Sequence, residues 1–366
     1  MPLFFLFFLL IPLSGQVYVS VRVWQMLSLP VWGKTLIVCL MALCFITFFV
    51  SLSGILSKLP LNMGTLLYEV GTSWVIILLY LFMAFVLVDI GRLWLGSDWY
   101  KGNIILSICM TVAMTALFIY GNLHYRNKHV EHFALTTHKA IDRPQKLIFV
   151  SDLHMGYHNR RAEIARWVDM LNAEHADMIL IAGDLIDGFM HPVETEDMAA
   201  ELRRLNAPVY ACPGNHDHMT GIDNVTRFCQ QASISLLRDS AVQCGRLTII
   251  GRDDRSNRHR QTVKELMSRV DTFTYTILLD HQPYHLEEAE HADIDLQLSG
   301  HTHEGQVWPA NLITNAIYEQ DYGRWQRGHT QYYISSGLGI WGGKFRIGTR
   351  SEYVVIDLAA DDAKAS

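Results

Sequence analysis

The first third of the chain carries almost no charge, and this limits its possible folds more than any other feature. Up to residue 122 only eight residues are formally charged, five basic and three acidic. Four apolar runs cover residues 3–21, 35–54, 72–90 and 104–120. Each is about 17–20 residues long, enough to cross a bilayer as a helix. We therefore predict an N-terminal four-helix transmembrane region over residues 1–122.

The basic residues between these runs favour one orientation. Arg22 and Lys34 lie in one predicted loop, and Arg92 and Lys101 lie in another on the same side. Cytoplasmic loops carry an excess of Lys and Arg, so these two loops are predicted to be cytoplasmic. The rest of the chain would then be extracytoplasmic, anchored in the cell (inner) membrane. A signal sequence is the alternative for residues 3–21, although no basic segment precedes them.

Beyond residue 130 the chain changes to short apolar runs separated by amphipathic segments. This pattern is typical of an α/β domain. Several apolar runs end in polar clusters, namely Asp152/His154, Asp184/Asp187, Asn215/His216/Asp217, His281 and His301/His303. Ligands of α/β folds bind at the carboxyl ends of strands, so we expect these side chains to form one site.

The chemistry of these side chains indicates metal binding. Carboxylates, one amide and several imidazoles form an N/O ligand set that suits divalent metals. Cysteine is absent from the clusters, which argues against a structural zinc site. The candidates outnumber the ligands of one metal, and two metals sharing a carboxylate would use them all. Such pairs are a recurrent device of phosphoryl chemistry.

Five motifs occur in a fixed order: "SDLH", "GDLID", "GNHD", "DHQP" and "SGHTH". Together they resemble the signature blocks of the calcineurin-like metallophosphoesterase superfamily, in its membrane-anchored bacterial phosphodiesterase branch. The resemblance implies two mixed β-sheets sandwiched by helices (αββα) over residues 145–366. Residues 123–144 are predicted to be a linker and a first strand.

The resemblance also implies a role for each motif residue. The first metal would be held by Asp152, His154, Asp184 and His303. The second would be held by Asp184, Asn215, His281 and His301. His216 would be the general acid or would stabilise phosphate charge, and Asp217 would hold its ring. The two divalent ions would be Mn, Fe or Zn, with the identity open.

Three further residues are candidates for substrate contacts. His158 follows the first motif, and Arg252 lies in the loop "GRDDR". A simple helix-start residue and an exposed arginine are the respective alternatives. Glu304 departs from the resembled branch, which often has Gly there. It is interpreted as a solvated loop residue, a partner for a histidine, or a gate against highly anionic substrates.

These observations predict a membrane-anchored dinuclear-metal phosphoesterase. It would hydrolyse phosphodiester or pyrophosphate bonds by attack of a metal-bridging hydroxide. Its partners would be the lipid bilayer and a lipid-linked or membrane-proximal phosphoester. One alternative is a phosphodiesterase or phosphatase on soluble nucleotides or phosphoproteins. Another is a lipid-binding or transport domain that the phosphoesterase regulates. The sequence has no basic cluster suited to duplex nucleic acid, and it does not indicate an oligomeric state.

Overall fold

The computed structural model describes residues 2–96 and 98–361, which form two compact units. One unit contains the chain up to Leu123 together with the segment Gly342–Phe345. The other begins at His124 and contains the rest of the described chain.

Four helices build the first unit. They are α1 (Pro2–Met26), α2 (Val31–Ser51), α3 (Leu61–Leu95) and α4 (Ile104–Arg126), with a short 3₁₀ helix at Leu56–Lys58. Among the described residues, α2, α3 and α4 are long and apolar enough to cross a membrane. Helix α1 contains the first predicted run, whose Pro, Ser and Gln residues weaken its apolar character. Spanning by α1 therefore stays a prediction.

A polar cluster around Asp89 joins α1 to α3. The carboxylate accepts hydrogen bonds from the Tyr18 hydroxyl at 2.6 Å and from Arg22 at 2.8 Å. It also pairs with Arg92 at 3.3 Å. Polar groups inside apolar helix bundles are costly unless they are paired, so these contacts stabilise the packing of α1 on α3.

The segment Gly342–Phe345 packs within the helical unit. The ring of Phe345 lies 4.9 Å from the ring of Phe118. Lys344 is 3.3 Å from the Glu69 carboxylate, and its carbonyl accepts a hydrogen bond from Asn122 at 3.0 Å. An aromatic contact, an ion pair and a hydrogen bond therefore hold this short segment in place.

Twelve strands and eight helices build the second unit. The strands are β1 (His129–Thr137), β2 (Gln145–Val150), β3 (Met178–Ala182), β4 (Val209–Cys212), β5 (Ile234–Leu236), β6 (Ser240–Cys244), β7 (Leu247–Gly251), β8 (Tyr275–Leu279), β9 (Leu296–Ser299), β10 (Gly323–Arg327), β11 (Thr330–Ile334) and β12 (Glu352–Ala360). The helices are α5 (Arg161–Asn172), α6 (Met190–Thr195), α7 (Met198–Leu202), α8 (Asn215–Thr220), α9 (Ile222–Gln231), α10 (Val263–Met267), α11 (Glu287–His291) and α12 (Ala310–Ile317).

The strands form two mixed six-stranded sheets. The first has the order β1-β12-β2-β3-β4-β5 and the second β10-β11-β9-β8-β7-β6. Strands β2, β3 and β4 are parallel neighbours, as are β7, β8 and β9. The carboxyl ends of adjacent parallel strands therefore meet at one edge of each sheet.

Successive apolar residues of a central strand pack on opposite faces of its sheet, and this explains the layers of helices and sheets. In β2, Leu147 and Phe149 belong to the core between the sheets, whereas Ile148 and Val150 face the helices. Successive side chains on a strand point to opposite faces, so an uninterrupted apolar run predicts a strand buried on both. Helices α5, α7 and α9 cover the first sheet, and α10 and α11 cover the second. The predicted αββα arrangement of two mixed sheets is confirmed.

Candidate metal centre

The polar residues predicted to share a site follow the carboxyl ends of strands in both sheets. Asp152 and His154 follow β2, and Asp184 follows β3. Residues Asn215 and His216 begin α8 shortly after β4. In the second sheet, His281 follows β8, while His301 and His303 follow β9. Convergence of these side chains depends on the parallel pairing of their strands.

The first group of potential ligands contains Asp152, His154 and His303. One donor atom from each lies within 4.8 Å of the others. The Nε2 atoms of the two histidines are 3.1 Å apart. His303 Nε2 is 3.5 Å from Asp152 Oδ1, and His154 Nε2 is 3.6 Å from Asp184 Oδ2. All four side chains are buried.

The second group contains Asp184, His281 and His301, with donor atoms again within 4.8 Å. His281 Nε2 lies 3.2 Å from Asp184 Oδ2 and 3.2 Å from Asn215 Oδ1. The Nδ1 atom of His281 lies 2.8 Å from the carbonyl oxygen of Ala182. A proton on Nδ1 would satisfy this carbonyl and leave Nε2 free to coordinate a metal.

Asp184 Oδ2 is close to an imidazole of each group. A carboxylate in this position can offer an oxygen to each of two cations, so its placement agrees with the bridging role predicted for it. The buried donor set fits two divalent ions with a preference for nitrogen and oxygen ligands. Bound ions would lower the pKa of a water molecule and offset phosphate charge. The assignment of individual ligands stays a prediction.

The backbone at this site adopts an unusual conformation. Positive φ angles occur at Asp152 (54°), His154 (44°), Asp184 (51°), His301 (71°) and His303 (51°). Residues with side chains rarely adopt this region, and the strain costs about 1–3 kcal/mol at each position. Such strain persists where surrounding structure enforces it, and it clusters at functional sites. The five residues are all predicted metal ligands.

Two glycines allow the ligand loops to approach each other. A Cβ atom at Gly214 would collide with the Asp184 carboxylate, and one at Gly300 would collide with Asp152. Glycine alone leaves space for these carboxylates.

His216 is held by Asp187. Its Nδ1 atom lies 3.0 Å from Asp187 Oδ1. Burial opposes protonation, but the carboxylates of Asp184 and Asp187 prevail and raise the pKa of His216 to about 9. These two carboxylates therefore favour the protonated imidazole.

The prediction that Asp217 holds the His216 ring was wrong. The Asp217 carboxylate instead accepts backbone N–H groups of Leu185 at 3.2 Å, Ile186 at 3.1 Å and Gly214 at 2.8 Å. Asp217 lies in the first turn of α8, where a side chain readily caps free backbone donors. It joins the loops after β3 and β4, and so supports the position of Asp184 indirectly.

Asp187 has a role that sequence reasoning did not assign. Besides contacting His216, its Oδ1 atom lies 3.3 Å from Nδ1 of His154. Although burial opposes the charge, the two histidines lower the pKa of Asp187 well below its ordinary value. Its place three residues after Asp184 in "GDLID" was the sequence signal for a role at the site. The sequence did not show whether Asp187 caps the turn or contacts a histidine.

The three predicted substrate contacts lie in different environments. Arg252 is buried and pairs with Asp280 at 3.1 Å and Glu288 at 2.7 Å. It is neither an exposed arginine nor a free phosphate ligand, because its carboxylate partners already occupy the guanidinium. His158 is also buried, unlike an open substrate contact. Glu304 is half-buried, and burial raises its pKa to about 7.

An exposed tryptophan also borders the site. The ring of Trp341 lies 6.3 Å from the ring of His216. Its side chain is exposed, so it offers an aromatic surface beside the predicted general acid.

The αββα domain thus presents a buried set of nitrogen and oxygen donors that could hold divalent metal ions. Residues 145–305 match the family model described as calcineurin-like phosphoesterase. The chain therefore contains a calcineurin-like metallophosphoesterase domain, as the motifs indicated.

The chain is similar to several known proteins. It is 30% identical over 224 residues to an uncharacterized metallophosphoesterase of Helicobacter pylori (strain J99), covering 60% of each chain. It is 30% identical over 232 residues to a Danio rerio protein named "Transmembrane protein with metallophosphoesterase domain", covering 58% of this chain and 53% of that protein. The similarity therefore spans about half to three fifths of these relatives' lengths.

The chain also aligns with solved structures. A dimetal phosphatase from Danio rerio aligns with a TM-score of 0.38 and 12% identity. The alignment covers 59% of this chain and 99% of that one.

Proposed function

We propose that this chain is a membrane-anchored phosphoesterase that hydrolyses phosphodiester or pyrophosphate bonds in a lipid-linked or membrane-proximal substrate. The observation that carries the proposal is the position of Asp184, whose Oδ2 atom adjoins both histidine groups. The three candidate membrane helices support the anchor. The transmembrane relative in Danio rerio supports the same combination of helices and catalytic domain.

In this proposal, the residues of the site have separate roles in hydrolysis. The two ligand groups would hold the metal ions, with Asp184 between them. His216 would protonate the leaving oxygen, because Asp187 occupies its Nδ1 side and leaves the Nε2 proton available. Its positive charge would also stabilise negative charge on the phosphate.

The substrate class can be tested with the full-length protein in lipid nanodiscs. Hydrolysis would be measured for paired substrates that share a scissile phosphodiester or pyrophosphate bond and differ only in an acyl anchor. Assays would contain Mn²⁺, Zn²⁺ or Fe²⁺, with Asp184→Asn as the inactive control. We expect the anchored substrate to have the higher kcat/KM, because tethering both partners to the bilayer raises their effective concentration.

A higher kcat/KM for the soluble member of each pair would contradict a membrane-resident substrate. That result would favour soluble nucleotides or phosphoproteins, with the helices acting only as an anchor. Failure to hydrolyse any phosphoester with any of the metals would reject the enzymatic proposal itself. Either result would be interpretable because metal content can be measured on the same samples.

The proposed location is the inner membrane, with the catalytic domain on its extracytoplasmic side. Protease treatment of intact spheroplasts would test this orientation. We expect cleavage within the α/β domain without lysis, whereas protection until lysis would place the domain in the cytoplasm.

A further inference from the structure

Helix α12 exposes the side that a helix on a globular domain usually buries. Its Leu312, Ile313 and Ile317 side chains are 60%, 60% and 59% exposed. Trp308, just before the helix, is 46% exposed. Amphipathic helices normally turn their apolar stripe towards the core. We call Trp308, Leu312, Ile313 and Ile317 the α12 apolar face.

The opposite side of α12 is polar and attached to the domain. Thr314 donates a hydrogen bond to the Asp321 carboxylate at 2.7 Å. The backbone carbonyl of Asp321 accepts a hydrogen bond from the Thr302 hydroxyl at 2.6 Å. A Cβ atom at Gly305 would collide with the backbone of Asn311, so the first turn of the helix lies directly against that glycine. These contacts fix the helix with its apolar face outward.

This helix is also close to the candidate metal centre. Thr302, which is linked to α12 through Asp321, lies between His301 and His303 in sequence. Gly305 ends the short 3₁₀ helix that begins at His303. Anything bound on the α12 apolar face would therefore lie beside the loop that carries two predicted ligands.

Charge and tethering favour a lipid bilayer as the partner of this face. Residues 307–317 contain no Asp, Glu, Lys or Arg. Uncharged apolar side chains with a tryptophan at the edge are typical of segments in the membrane interface. Helix α4, a candidate span, ends at Arg126, and β1 begins at His129. Two residues therefore separate the end of this candidate span from the first strand of the α/β domain.

We propose that the α12 apolar face inserts into the headgroup–acyl boundary of the membrane. The insertion holds the His301–His303 loop at the level where lipid phosphates lie. It thereby defines the substrate as a phosphoester whose scissile group is in the interface, a step that rests on the proposed function. The insertion itself is a separate physical property and can be measured without any enzymatic activity.

The first test uses the full-length protein in phosphatidylcholine and phosphatidylglycerol liposomes. An environment-sensitive fluorescent amino acid replaces Ile313 in one sample and Phe273 in another. Phe273 is a matched control because it is also apolar and exposed, but precedes β8 at the end of the strand opposite to His281. Nitroxide-labelled lipids should quench position 313 at least about threefold more than position 273. Aqueous iodide should show the reverse order.

Two results would overturn the insertion. Equal quenching of both positions by iodide would place α12 in water. Protection of position 313 from both quenchers, with crosslinks between copies that increase with protein density, would assign the face to a second copy of the chain.

The second test measures function with the double variant Leu312→Asn/Ile313→Asn and the control Phe273→Asn. The double variant should lower kcat/KM for a bilayer-resident phosphoester by about tenfold, because burial of two large apolar side chains is lost. Hydrolysis of a soluble chromogenic phosphodiester should be unchanged. An equal loss on both substrates would make the residues structural and overturn the inference. An inactive wild-type protein would reject the proposed function and leave the quenching result intact.

Discussion

The Nδ1 atoms of His216 and His154 lie 3.0 Å and 3.3 Å from the same oxygen, Oδ1 of Asp187. One carboxylate thus orients both the predicted general acid and a predicted metal ligand. Histidines at metal sites usually depend on such partners for their tautomer and orientation. The contact makes Asp187 the centre of the first prediction.

Asp187→Asn should lower kcat by about 10–100-fold, because the amide removes the charge that holds both rings. His216 must be protonated to act as an acid, so activity is lost as pH rises through its pKa. Asp187 contributes to raising the pKa of His216 to about 9. In the variant, the loss of activity at alkaline pH should therefore occur at lower pH. A pH–rate profile measures this shift. Asp217→Asn, the control, should lower the melting temperature and leave the limb in place.

Asp184→Asn should weaken metal binding by both ligand groups, because this carboxylate adjoins both. Inductively coupled plasma mass spectrometry should show two ions per wild-type chain, as predicted from the ligand set, and about one or fewer in the variant. Hydrolysis should be lost while the circular dichroism spectrum is retained. The exposed Asp223→Asn is the matched control. Full metal content in Asp184→Asn would contradict a bridging role.

Arg346→Leu should destabilise the domain and weaken metal binding by His303. The buried guanidinium donates to the His303 carbonyl at 2.7 Å, the Gly339 carbonyl at 3.3 Å and the Ser351 hydroxyl at 3.1 Å. Each buried acceptor left without a donor costs about 1–3 kcal/mol. The melting temperature and metal content should both fall. Arg350→Leu, at an exposed position, should change neither quantity. An unchanged metal content in Arg346→Leu would show that Arg346 does not support metal binding.

His218 should contribute pH-dependent stability through Asp253. Its Nε2 atom lies 2.8 Å from Asp253 Oδ1, and this hydrogen bond raises the pKa of His218 above 6.5. A raised pKa in the folded state stabilises the protein below the unfolded value and loses that effect as pH rises through the folded value. The melting temperature of wild type should therefore exceed that of His218→Gln more at about pH 6 than at about pH 9. A difference that grows with pH would contradict this interpretation.

Glu304→Gly should retain metal binding and favour more anionic substrates. Glu304 has a φ angle of 51°, which glycine adopts without strain. Glu304→Ala removes the same charge but keeps the Cβ atom, so it should be less stable than Glu304→Gly by about 1 kcal/mol. Substrate preference should change in both variants if charge is responsible. Identical kinetics in wild type and both variants would leave only a solvated role for Glu304.

The organisation of the chain was largely predictable from local patterns. Apolar runs almost free of charge identified α2, α3 and α4, because a bilayer imposes a length and disfavours charge, and both effects are visible in sequence. Runs such as "KLIFV" and "MILIA" predicted doubly buried strands, because both faces of a central strand need apolar side chains. Strand β1 was less evident, because its parallel partner β12 lies more than two hundred residues away.

Local sequence patterns predicted only part of the candidate site. The sequence determined which residues follow the strands, because each polar cluster comes directly after an apolar run of the same segment. Three outcomes depended on distant segments: the choice of Asp187 over Asp217 beside His216, the ion pairs that bury Arg252, and the outward apolar face of α12. Each is decided by segments that meet only after the strands pair and the chain folds. The sequence alone thus determined the chemical groups and their order, while the tertiary structure decided their partners and exposure.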